Sequence, residues 1–227
     1  MNFDLHVHTI YSGDSIIKPE TIIKIAKTRE LSGVAVTDHD TIQGAIKVKS
    51  LAPDDFVVII GSEVQTNKGE IIGLFLTDEI KSREFNEVIE EIKDQGGVTV
   101  LPHPFRNSRY DPEKLIGKID LIEGLNGRSS KKLNDQAQNL AKNIGLPMIA
   151  GSDAHTPFEI GRVRTIFLDE LNTFDMKNLL LKSRREIRGS ELPSHLRLIS
   201  AGIGRFKRDG TTGLIKSCKN KILTKFR

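Results

Sequence analysis

The sequence predicts an α/β protein built from alternating strands and helices, because two patterns recur along the chain. Short apolar or β-branched runs alternate with longer stretches whose apolar residues recur at helical spacing. Several of these runs also lead directly into His, Glu or Asp, at the end of the strand where α/β folds place their functional groups. This alternation is typical of a parallel sheet with crossover helices, which is either open or closed into a barrel.

The individual elements follow from these patterns in chain order. The predicted strands are residues 3–8, 33–37, 56–60, 71–76, 98–101, 121–124, 147–150 and 165–168. The predicted helices are residues 19–31, 41–50, 82–95, 129–143 and 173–188. The pattern weakens after Leu192, so we expect one domain over residues 1–192 and a basic, partly helical extension over residues 193–227. The last part of that extension, residues 211–227, is expected to be a loosely attached basic helix.

Composition limits the class of protein. The chain has 227 residues, of which 37% are hydrophobic and 28% charged, which excludes the composition of a disordered chain. The longest apolar run, residues 56–60, is too short to cross a bilayer, so no membrane partner is expected. Cys218 is the single cysteine, so neither an internal disulfide nor a Cys-rich zinc site can form. The N-terminal residues lack the features of a secretory signal, and a cytoplasmic location is expected.

Charge is distributed unevenly along the chain. Residues 176–227 hold 14 basic and 3 acidic residues, whereas the rest holds 20 basic and 27 acidic ones. An acidic body can bind cations. The basic end either attracts phosphate backbones or anionic lipid, or is an ordinary solvated helix.

Histidines stand at the end of the first predicted strand. In the run from Asp4 to His8, the strand period of two places Asp4, His6 and His8 on one face and the apolar residues on the other. Two imidazoles on one face can bind a common ion, although a His-x-His pair alone is weak support for a metal site.

Four more predicted strands end in the same way. Residues 35–37 lead into Asp38, His39 and Asp40, and we expect the two aspartates to orient His39 or to cap the next helix rather than to bind metal. Glu63, His103 and the pair Asp153 and His155 follow the other three strands. The carboxyl ends of parallel strands converge, so these side chains should meet in space. Mixed imidazole and carboxylate ligands suit zinc, manganese or iron, and more than six ligands imply two or more ions.

These residues carry a family resemblance. The motifs are His6-Val-His8-Thr, Tyr11-Ser-Gly-Asp14, Thr37-Asp-His39-Asp-Thr, Gly61-Ser-Glu63, Pro102-His103-Pro-Phe and Gly151-Ser-Asp153-Ala-His155, with a weaker match at Glu159-Ile-Gly161. In this order they resemble the polymerase and histidinol phosphatase (PHP) family. The resemblance implies a distorted TIM-like barrel of seven βα units, with a metal cluster at its C-terminal mouth and phosphoester hydrolysis as the activity. The segment 37–41 is most similar to stand-alone phosphoesterases that act on nucleotides or short oligonucleotides.

The resemblance also assigns metal ligands. It implies that His6, His8, Glu63 and Asp153 hold one ion, that Asp14, His39 and His155 hold a second, and that Glu63 bridges to a third at His103. Many members have a further His where this chain has Glu70. Glu70 is therefore either a carboxylate ligand, which would favour manganese, or an ordinary residue of a hairpin or strand edge.

A mechanism follows from this resemblance. A hydroxide bridging two ions would attack phosphorus, with Glu63, Asp153 and His39 essential, so that alanine at His39 or Asp153 should abolish turnover. Candidate substrate-binding residues beyond predicted strand ends are Arg106, Arg109, Arg128, Arg162 and Asn126. Each arginine could equally be an ordinary surface residue, and Asn126 and Glu123 either contact substrate or shape a turn.

Three functions are therefore compatible with the sequence. The first is a metal-dependent phosphoesterase with two or three divalent ions, acting on a nucleotide or short oligonucleotide and contacting nucleic acid through the basic end. The second is a small-metabolite phosphatase of the histidinol phosphatase type. The third is a non-catalytic module of a DNA-processing assembly, which the retention of nearly all expected ligands disfavours.

Overall fold

A computed structural model describes residues 1–106, 111–169 and 176–225, with residues 211–225 described by their backbone alone. Within these residues the elements, in chain order, are β1 (Asn2–Val7), α1 (Pro19–Thr28), β2 (Gly33–His39), α2 (Gln43–Leu51), β3 (Val57–Thr66), β4 (Gly69–Leu74), α3 (Phe85–Asp94), β5 (Val98–Leu101), two 3-10 helices (Pro112–Lys114 and Ile116–Lys118), β6 (Leu121–Asn126), α4 (Lys131–Ile144), β7 (Met148–Gly151), β8 (Val163–Phe167), α5 (Met176–Lys182), β9 (Arg185–Gly189) and α6 (Ser194–Lys225). The predicted α/β class is confirmed.

The strands form one sheet that closes almost completely into a barrel. Its order is β7-β6-β5-β4-β3-β2-β1-β8-β9. A parallel bridge between Val7 and Ala154 brings the segment after β7 back to β1. Two hydrogen bonds hold this seam: His8 N donates to Ala154 O at 3.0 Å, and Asp153 N donates to His6 O at 2.8 Å. Strands β1 to β7 therefore form the wall of the barrel, whereas β8 and β9 extend the sheet outside it.

Antiparallel pairs break the parallel pattern that the sequence predicts: outside the barrel β8 runs antiparallel to β1 and to β9, and inside the barrel the exception is β4. Strand β4 runs antiparallel to both β3 and β5. Only residues 67 and 68 separate β3 from β4, and a parallel neighbour needs a crossover of about a dozen residues or more. Gly69 follows this tight turn with a φ of 104°, a conformation that favours glycine.

The predicted helix over residues 173–188 is only partly correct. Helix α5 ends at Lys182, and residues 185–189 form β9, which pairs antiparallel with β8. This segment contains one apolar residue, Ile187, among charged ones, a composition common in edge strands. Residues 173–175 lie outside the described part of the chain.

A β-bulge in β1 changes which side chains face the barrel interior. Phe3 pairs with Gly33 and Asp4 with Val34, but Val7 pairs with Val36, so β1 holds one extra residue between these pairs. Phe3 and Leu5 pack in the barrel interior, whereas Val7 packs with the outer helices. The prediction that Asp4 shares a face with His6 and His8 is therefore wrong.

Three apolar clusters form the core. One takes residues from each of the strands β1 to β7 and fills the barrel below its mouth. The second packs α1 and α2 against β1 to β3, and the third packs α3 and α4 against β3 to β6. The interior below the mouth is thus solid, and polar side chains face a cavity at the C-terminal ends of the strands.

Helix α6 begins well before the basic helix that the sequence predicts. Its glycines, including Gly202, Gly204 and Gly210, lower helix propensity and hide the helical pattern. Gly204 is needed because a Cβ there would lie 2.8 Å from the backbone oxygen of Asp14. Lys207 Nζ donates to the carbonyl oxygens of residues 10, 12 and 15 at 2.8, 3.0 and 2.5 Å. The first part of α6 is therefore firmly docked on the loop that carries Asp14.

Beyond Gly210, where φ is 63° and ψ is −159°, the helix changes direction. The loose attachment expected for residues 211–227 and the domain boundary at residue 192 stay predictions. None of the helices in the described part of the chain has both the length and the apolar character needed to span a bilayer.

Candidate metal centre

The mouth of the barrel gathers all nine predicted metal ligands. They come from the ends of β1 to β4 and from the loops that follow β1, β5 and β7, namely His6, His8, Asp14, His39, Glu63, Glu70, His103, Asp153 and His155. Their convergence is a property of the barrel, because the C-terminal ends of its parallel strands and the start of the antiparallel β4 lie at the same opening.

Four of these residues form the bottom of the centre, and we call them the deep donors: His6, His8, Glu63 and Asp153. The Nε2 atoms of His6 and His8 lie 3.0 Å apart, and each lies 3.3 Å from Glu63 Oε2. Asp153 Oδ1 lies 3.4 Å from His8 Nε2 and 3.7 Å from His6 Nε2. All four side chains are at most 2% exposed.

This spacing fits a metal ion. Nitrogen and oxygen ligands in a tetrahedral zinc site lie about 2.0 to 2.2 Å from the ion, and hence about 3.3 to 3.6 Å from one another. His6 Nδ1 lies 2.9 Å from a carboxylate oxygen of Glu123, to which it donates, so that in the metal-binding, singly protonated form its Nε2 would present a lone pair. That lone pair points at His8 and at two carboxylates, an arrangement that a cation stabilises.

Three further residues, which we call the outer donors, lie nearer to solvent: Asp14, His39 and His155. Asp14 Oδ2 lies 3.2 Å from His155 Nε2 and 3.6 Å from His39 Nε2. His39 Nδ1 lies 3.4 Å from Glu63 Oε2, so Glu63 contacts both the deep and the outer donors. The outer donors therefore have the composition and spacing for a second ion.

Glu70 and His103 provide a third group of donors. Glu63 Oε1 lies 2.8 Å from His103 Nε2, and Glu70 Oε2 lies 3.7 Å from the same nitrogen. Glu70 is in β4, beside the hairpin turn, so it is a hairpin residue whose carboxylate faces the centre. Its place in the hairpin agrees with one interpretation from the sequence, and the other, that Glu70 is a metal ligand, stays a prediction that this position allows.

Hydrogen bonds orient the deep imidazoles from behind. His8 Nδ1 lies 2.9 Å from Ser12 Oγ, which donates to Asp38 Oδ1 at 2.9 Å. Glu123 contacts the ring of His6 and accepts a hydrogen bond from His103 N at 2.8 Å. Such partners fix the ring orientation and raise the basicity of a ligand.

The roles expected for Asp38 and Asp40 are corrected. Asp38 binds Thr9 and Ser12 rather than the ring of His39, because neighbouring residues of β2 point to opposite faces. Asp40 accepts a hydrogen bond from Gln65 N, and Glu79 instead caps the helix start by accepting from Ile42 N at 3.0 Å.

Two candidate ligands have strained backbones. His103 has a φ of 28° and Asp153 a φ of 55°, in the region that non-glycine residues rarely adopt. Their amides are fixed by hydrogen bonds, from His103 N to Glu123 and from Asp153 N to His6 O. The fold thus stabilises a conformation that aims both side chains into the centre.

The surroundings of Glu63, Asp153 and His155 favour the protonation states that bind a cation. Burial raises the pKa of Glu63, but the charge of His6 and the hydrogen bonds from His103 and His8 together outweigh it, and the pKa lies well below its ordinary value. Burial likewise raises the pKa of Asp153, but the charges of Arg106 and His6 and the hydrogen bond with His8 together hold it well below the usual range. Burial lowers the pKa of His155 to about 4, so this imidazole is neutral near pH 7.

Above the donors lies a cavity of about 340 Å³ that arginines help to line. Arg106, Arg128 and Arg197 reach it. Arg106 donates from one nitrogen to Asp153 Oδ2 and Asn126 Oδ1, each at 2.6 Å. An anion above the metal centre would therefore meet fixed positive charge.

The sequence predicts that Asn126 and Arg162 bind substrate, but neither side chain lines this cavity. Asn126 is fully buried, and its amide is used by Glu123, Asp153 and neighbouring backbone groups, so it supports the site from behind. Burial lowers the pKa of Arg29, and Arg162 lies close enough for its charge to lower that pKa further. Arg162 does not line the cavity because it directly precedes β8, which lies outside the barrel. Arg109 lies outside the described residues.

Comparisons with known proteins identify the family. The profile of the PHP domain matches residues 4–101, and that of the PHP-associated region matches residues 131–185. The uncharacterized protein MJ1587 of Methanocaldococcus jannaschii is 46% identical over 117 residues, covering 46% of this chain and 68% of that protein. The chain belongs to the PHP family. A second protein of that organism, the uncharacterized protein MJ0417, is 31% identical over 183 residues, and the match covers 76% of this chain and 72% of MJ0417.

Solved structures share the PHP fold. A two-domain protein from Bacteroides vulgatus, which contains a predicted PHP-like metal-dependent phosphoesterase, superposes with a TM-score of 0.72 at 20% identity, covering 88% of this chain and 68% of that chain. An amidohydrolase from Chromobacterium violaceum with bound sulfate and no metal has a TM-score of 0.63 at 18% identity, covering 82% and 98%. The α/β barrel fold expected from the PHP resemblance is confirmed, whereas the count of seven βα units and the position of a metal cluster stay predictions.

Several residues near the site of this PHP protein have positions that the sequence does not indicate: Glu123 is expected to contact substrate or shape a turn, and the basic end is expected to attract phosphate or to be an ordinary solvated helix, with no place at the mouth. Glu123 ends a predicted strand as the ligands do, and that position was the available signal for its role. Arg197, Arg205 and Arg208 come from α6, which lies outside both matched regions. The sequence gives no sign that α6 returns to the mouth, because that contact depends on packing between distant segments.

Proposed function

We propose that this protein is a metal-dependent phosphoesterase that acts on nucleotides or short oligonucleotides. The observation that carries the proposal is the convergence of imidazoles and carboxylates at the floor of a cavity whose walls hold three arginines. The donors fit divalent cations, and the arginines fit an anionic substrate. PHP membership supports the same class of reaction.

The donor groups would divide between ions as their contacts suggest. The deep donors would hold one ion, the outer donors a second, and Glu63, His103 and Glu70 a third. Manganese, zinc and iron all accept such ligands. When bound, these ions supply an acidified water at neutral pH and neutralise phosphate oxygens.

The chain's own residues hold the phosphate and fix the geometry. Arg106 is anchored through one nitrogen by Asn126 and Asp153, which leaves other N–H groups for phosphate oxygens. Arg128 lines the same cavity and can bind further oxygens of the same phosphate. Glu63 contacts both the deep and the outer donors, so it would keep the ions at a fixed separation.

The arginines favour a phosphoester over the neutral amide that the name of the Chromobacterium relative suggests. A neutral substrate would leave three guanidiniums around the cavity without a counter-charge from the ligand. Basic residues of α6 beside the cavity favour a substrate with several anionic groups over a small metabolite with one.

Hydrolysis assays on metal-stripped protein test the proposal. The full chain is treated with a chelator, resupplied with manganese, zinc or magnesium, and offered nucleotides, short RNA and DNA, and histidinol phosphate. We expect release of phosphate or nucleotide only after metal is added, with nucleotides or oligonucleotides as the better substrates. Preference for histidinol phosphate would indicate the small-metabolite phosphatase. Metal binding without hydrolysis of any substrate would contradict the enzymatic proposal and favour the non-catalytic module.

A further inference from the structure

Exposed apolar side chains concentrate on two neighbouring segments of the surface, the loop after β1 and helix α6. Eleven large apolar residues in the described part of the chain are more than a third exposed, and more than half of them belong to these two segments. They are Ile10, Tyr11, Ile16, Leu198, Ile199 and Phe206, each between 41% and 60% exposed. Single exposed apolar residues are ordinary, but a group of them marks a surface that contacts another molecule.

Helix α6 turns its large apolar residues away from the protein. Its inner side is marked by Gly204, which is buried, and by Lys207, whose Nζ donates to three carbonyl oxygens of the loop after β1. Ile199 and Phe206 are seven residues apart, almost two full turns, so they lie on one side of the helix, away from these contacts. Leu198 borders them and is 60% exposed. The solvent side of the first part of α6 is therefore apolar, the reverse of an ordinary surface helix.

The loop after β1 adjoins this helix. Lys207 Nζ donates to the carbonyl oxygens of Ile10 at 2.8 Å and of Ser15 at 2.5 Å, which lie near the two ends of the exposed stretch of the loop. Tyr11 and Ile16 belong to the same stretch. Because the loop and the helix are joined in this way, their six exposed apolar residues belong to one region of the surface, which we call the rim patch.

The helix that carries half of the rim patch is strongly basic. Residues 194–225 hold eight Lys or Arg residues and a single acidic residue, Asp209. Half of these basic residues lie in residues 211–225, the stretch of α6 that follows Gly210 and contains no acidic residue. Exposed apolar residues on a helix rich in Lys and Arg are typical of a helix that lies on an anionic bilayer, where apolar side chains enter the interface and cations meet the headgroups.

Two other partners fit the rim patch less well. A second copy of the chain would bring its own basic helix against this one, and like charges repel. A single-stranded nucleic acid would match the charge, but bases stack on aromatic rings, and four of the six residues of the rim patch are Ile or Leu. The surface of an anionic bilayer matches both the charge and the aliphatic side chains.

We propose that the rim patch binds the surface of an anionic lipid bilayer. Its apolar side chains enter the boundary between headgroups and acyl chains, while basic residues of α6 contact the headgroups. The expectation of no membrane partner rests on the lack of an apolar run long enough to span a bilayer, and contact with the surface requires no such run. Arg197 of α6 also lines the cavity above the metal centre, so the bound chain keeps the mouth of the barrel beside the bilayer.

Flotation of the full chain with lipid vesicles tests the proposal. Wild type is mixed with vesicles of phosphatidylcholine alone and with vesicles of equal parts phosphatidylcholine and phosphatidylglycerol. We expect it to bind the anionic vesicles about tenfold more tightly or better. The patch variant, Leu198→Gln with Ile199→Gln and Phe206→Gln, keeps every charge of the chain. Its affinity for anionic vesicles should fall about tenfold or more, because three apolar groups no longer enter the interface.

A matched control removes exposed apolar groups from other helices. The control variant, Ile46→Gln with Leu51→Gln and Ile144→Gln, changes three exposed residues of α2 and α4, and it should bind vesicles as wild type does. Circular dichroism of both variants confirms that the helices are intact. Absence of wild-type binding to anionic vesicles, or equal binding by wild type and the patch variant, would overturn the proposal.

A fluorescent probe locates the contact. The chain contains no tryptophan, so Phe206→Trp and Ile144→Trp each introduce a single emitter, one in the rim patch and one on α4. Anionic vesicles should shift the emission of Phe206→Trp to shorter wavelength and leave that of Ile144→Trp unchanged, because only the first enters the interface. Flotation with vesicles without a shift at Phe206→Trp would reject the rim patch as the contact.

Two further measurements identify the other partners. Sedimentation velocity without lipid measures self-association, and titration with single-stranded DNA measures binding of nucleic acid. A dimer that the patch variant loses, with no binding to vesicles, would assign the rim patch to a second copy of the chain. Binding of DNA that the patch variant loses, again with no binding to vesicles, would assign it to nucleic acid. Either result would contradict the proposal.

Discussion

The deep and outer donors of the metal centre differ in exposure and in support. The deep side chains are at most 2% exposed, whereas those of Asp14 and His39 among the outer donors are 20% and 32% exposed. Behind the deep imidazoles stand Glu123 and Ser12, which fix the rings. On the proposed function, we therefore expect the deep donors to bind an ion more tightly than the outer donors, whose ion would meet substrate.

The largest effect is expected for Glu63→Gln, because Glu63 contacts the deep donors, the outer donors and His103. Loss of its charge should lower turnover by more than about 100-fold and reduce bound metal. Turnover and elemental analysis of purified protein measure both. The exposed residue Glu90 provides the matched control, Glu90→Gln, which should behave as wild type. Full metal content and normal turnover in Glu63→Gln would contradict the central position of this residue.

A smaller effect is expected for Asp14→Asn, which changes the outer donors alone. We expect affinity for one ion to fall about 10-fold to 100-fold while the deep ion stays bound. Excess manganese should therefore restore turnover in Asp14→Asn but not in Glu63→Gln. Titration of turnover against metal concentration checks this, and equal rescue of both variants would remove the distinction between deep and outer donors.

Glu123→Gln tests the support behind the deep donors without changing a ligand. Its carboxylate accepts from His6 Nδ1, so the amide should loosen the ring and weaken metal affinity by about 10-fold. Competition with a coloured chelator measures that affinity. Should the variant bind metal as tightly as wild type, the orientation of His6 would have to come from the strand alone.

Ser12→Ala removes the neutral link between His8 and Asp38. One hydrogen bond of this kind corresponds to about threefold to tenfold in affinity, so the loss should be smaller than for Glu123→Gln. The same chelator competition measures it. A larger loss than in Glu123→Gln would reverse the order of importance of the two supports.

Glu70→His is expected to change metal preference more than rate. Glu70 faces His103 at the outer edge, and an imidazole there would favour zinc relative to manganese. Turnover with each metal gives the ratio, which should shift toward zinc. An unchanged ratio would show that Glu70 is a hairpin residue without a part in metal binding.

The positions of the ligands were predictable because they depend on local pattern. His6, His39, Glu63 and Asp153 each follow or end an apolar strand, and in a barrel these ends must meet. The role of Asn126 was not predictable, since its burial depends on contacts with Asp153 in the loop after β7 and with Asn134 in α4, which are distant along the chain or on another element. Sequence pattern gives the position of a residue along a strand but not what covers it.

The hairpin at β3 and β4 and the docking of α6 were missed for related reasons. The predicted strands ended at residue 60 and began again at residue 71, which left ten residues between them, whereas only two separate β3 from β4. The short turn that requires β4 to run antiparallel was therefore not visible in the prediction. Helix α6 carries glycines that disfavour a helix in isolation, and one of them is required by a contact with the loop near Asp14. In both regions tertiary packing outweighs local preference.

The bulge in β1 interrupts the alternation of side chains between the two faces of the strand. Its extra residue lets Phe3 and Leu5 fill the barrel while His6 and His8, next along the chain, still turn toward the mouth. If this stretch kept all its residues but formed a regular strand, strict alternation from Phe3 and Leu5 would aim both imidazoles at the helices. In β1, the single irregular pair therefore matters as much to the metal centre as the two histidines themselves.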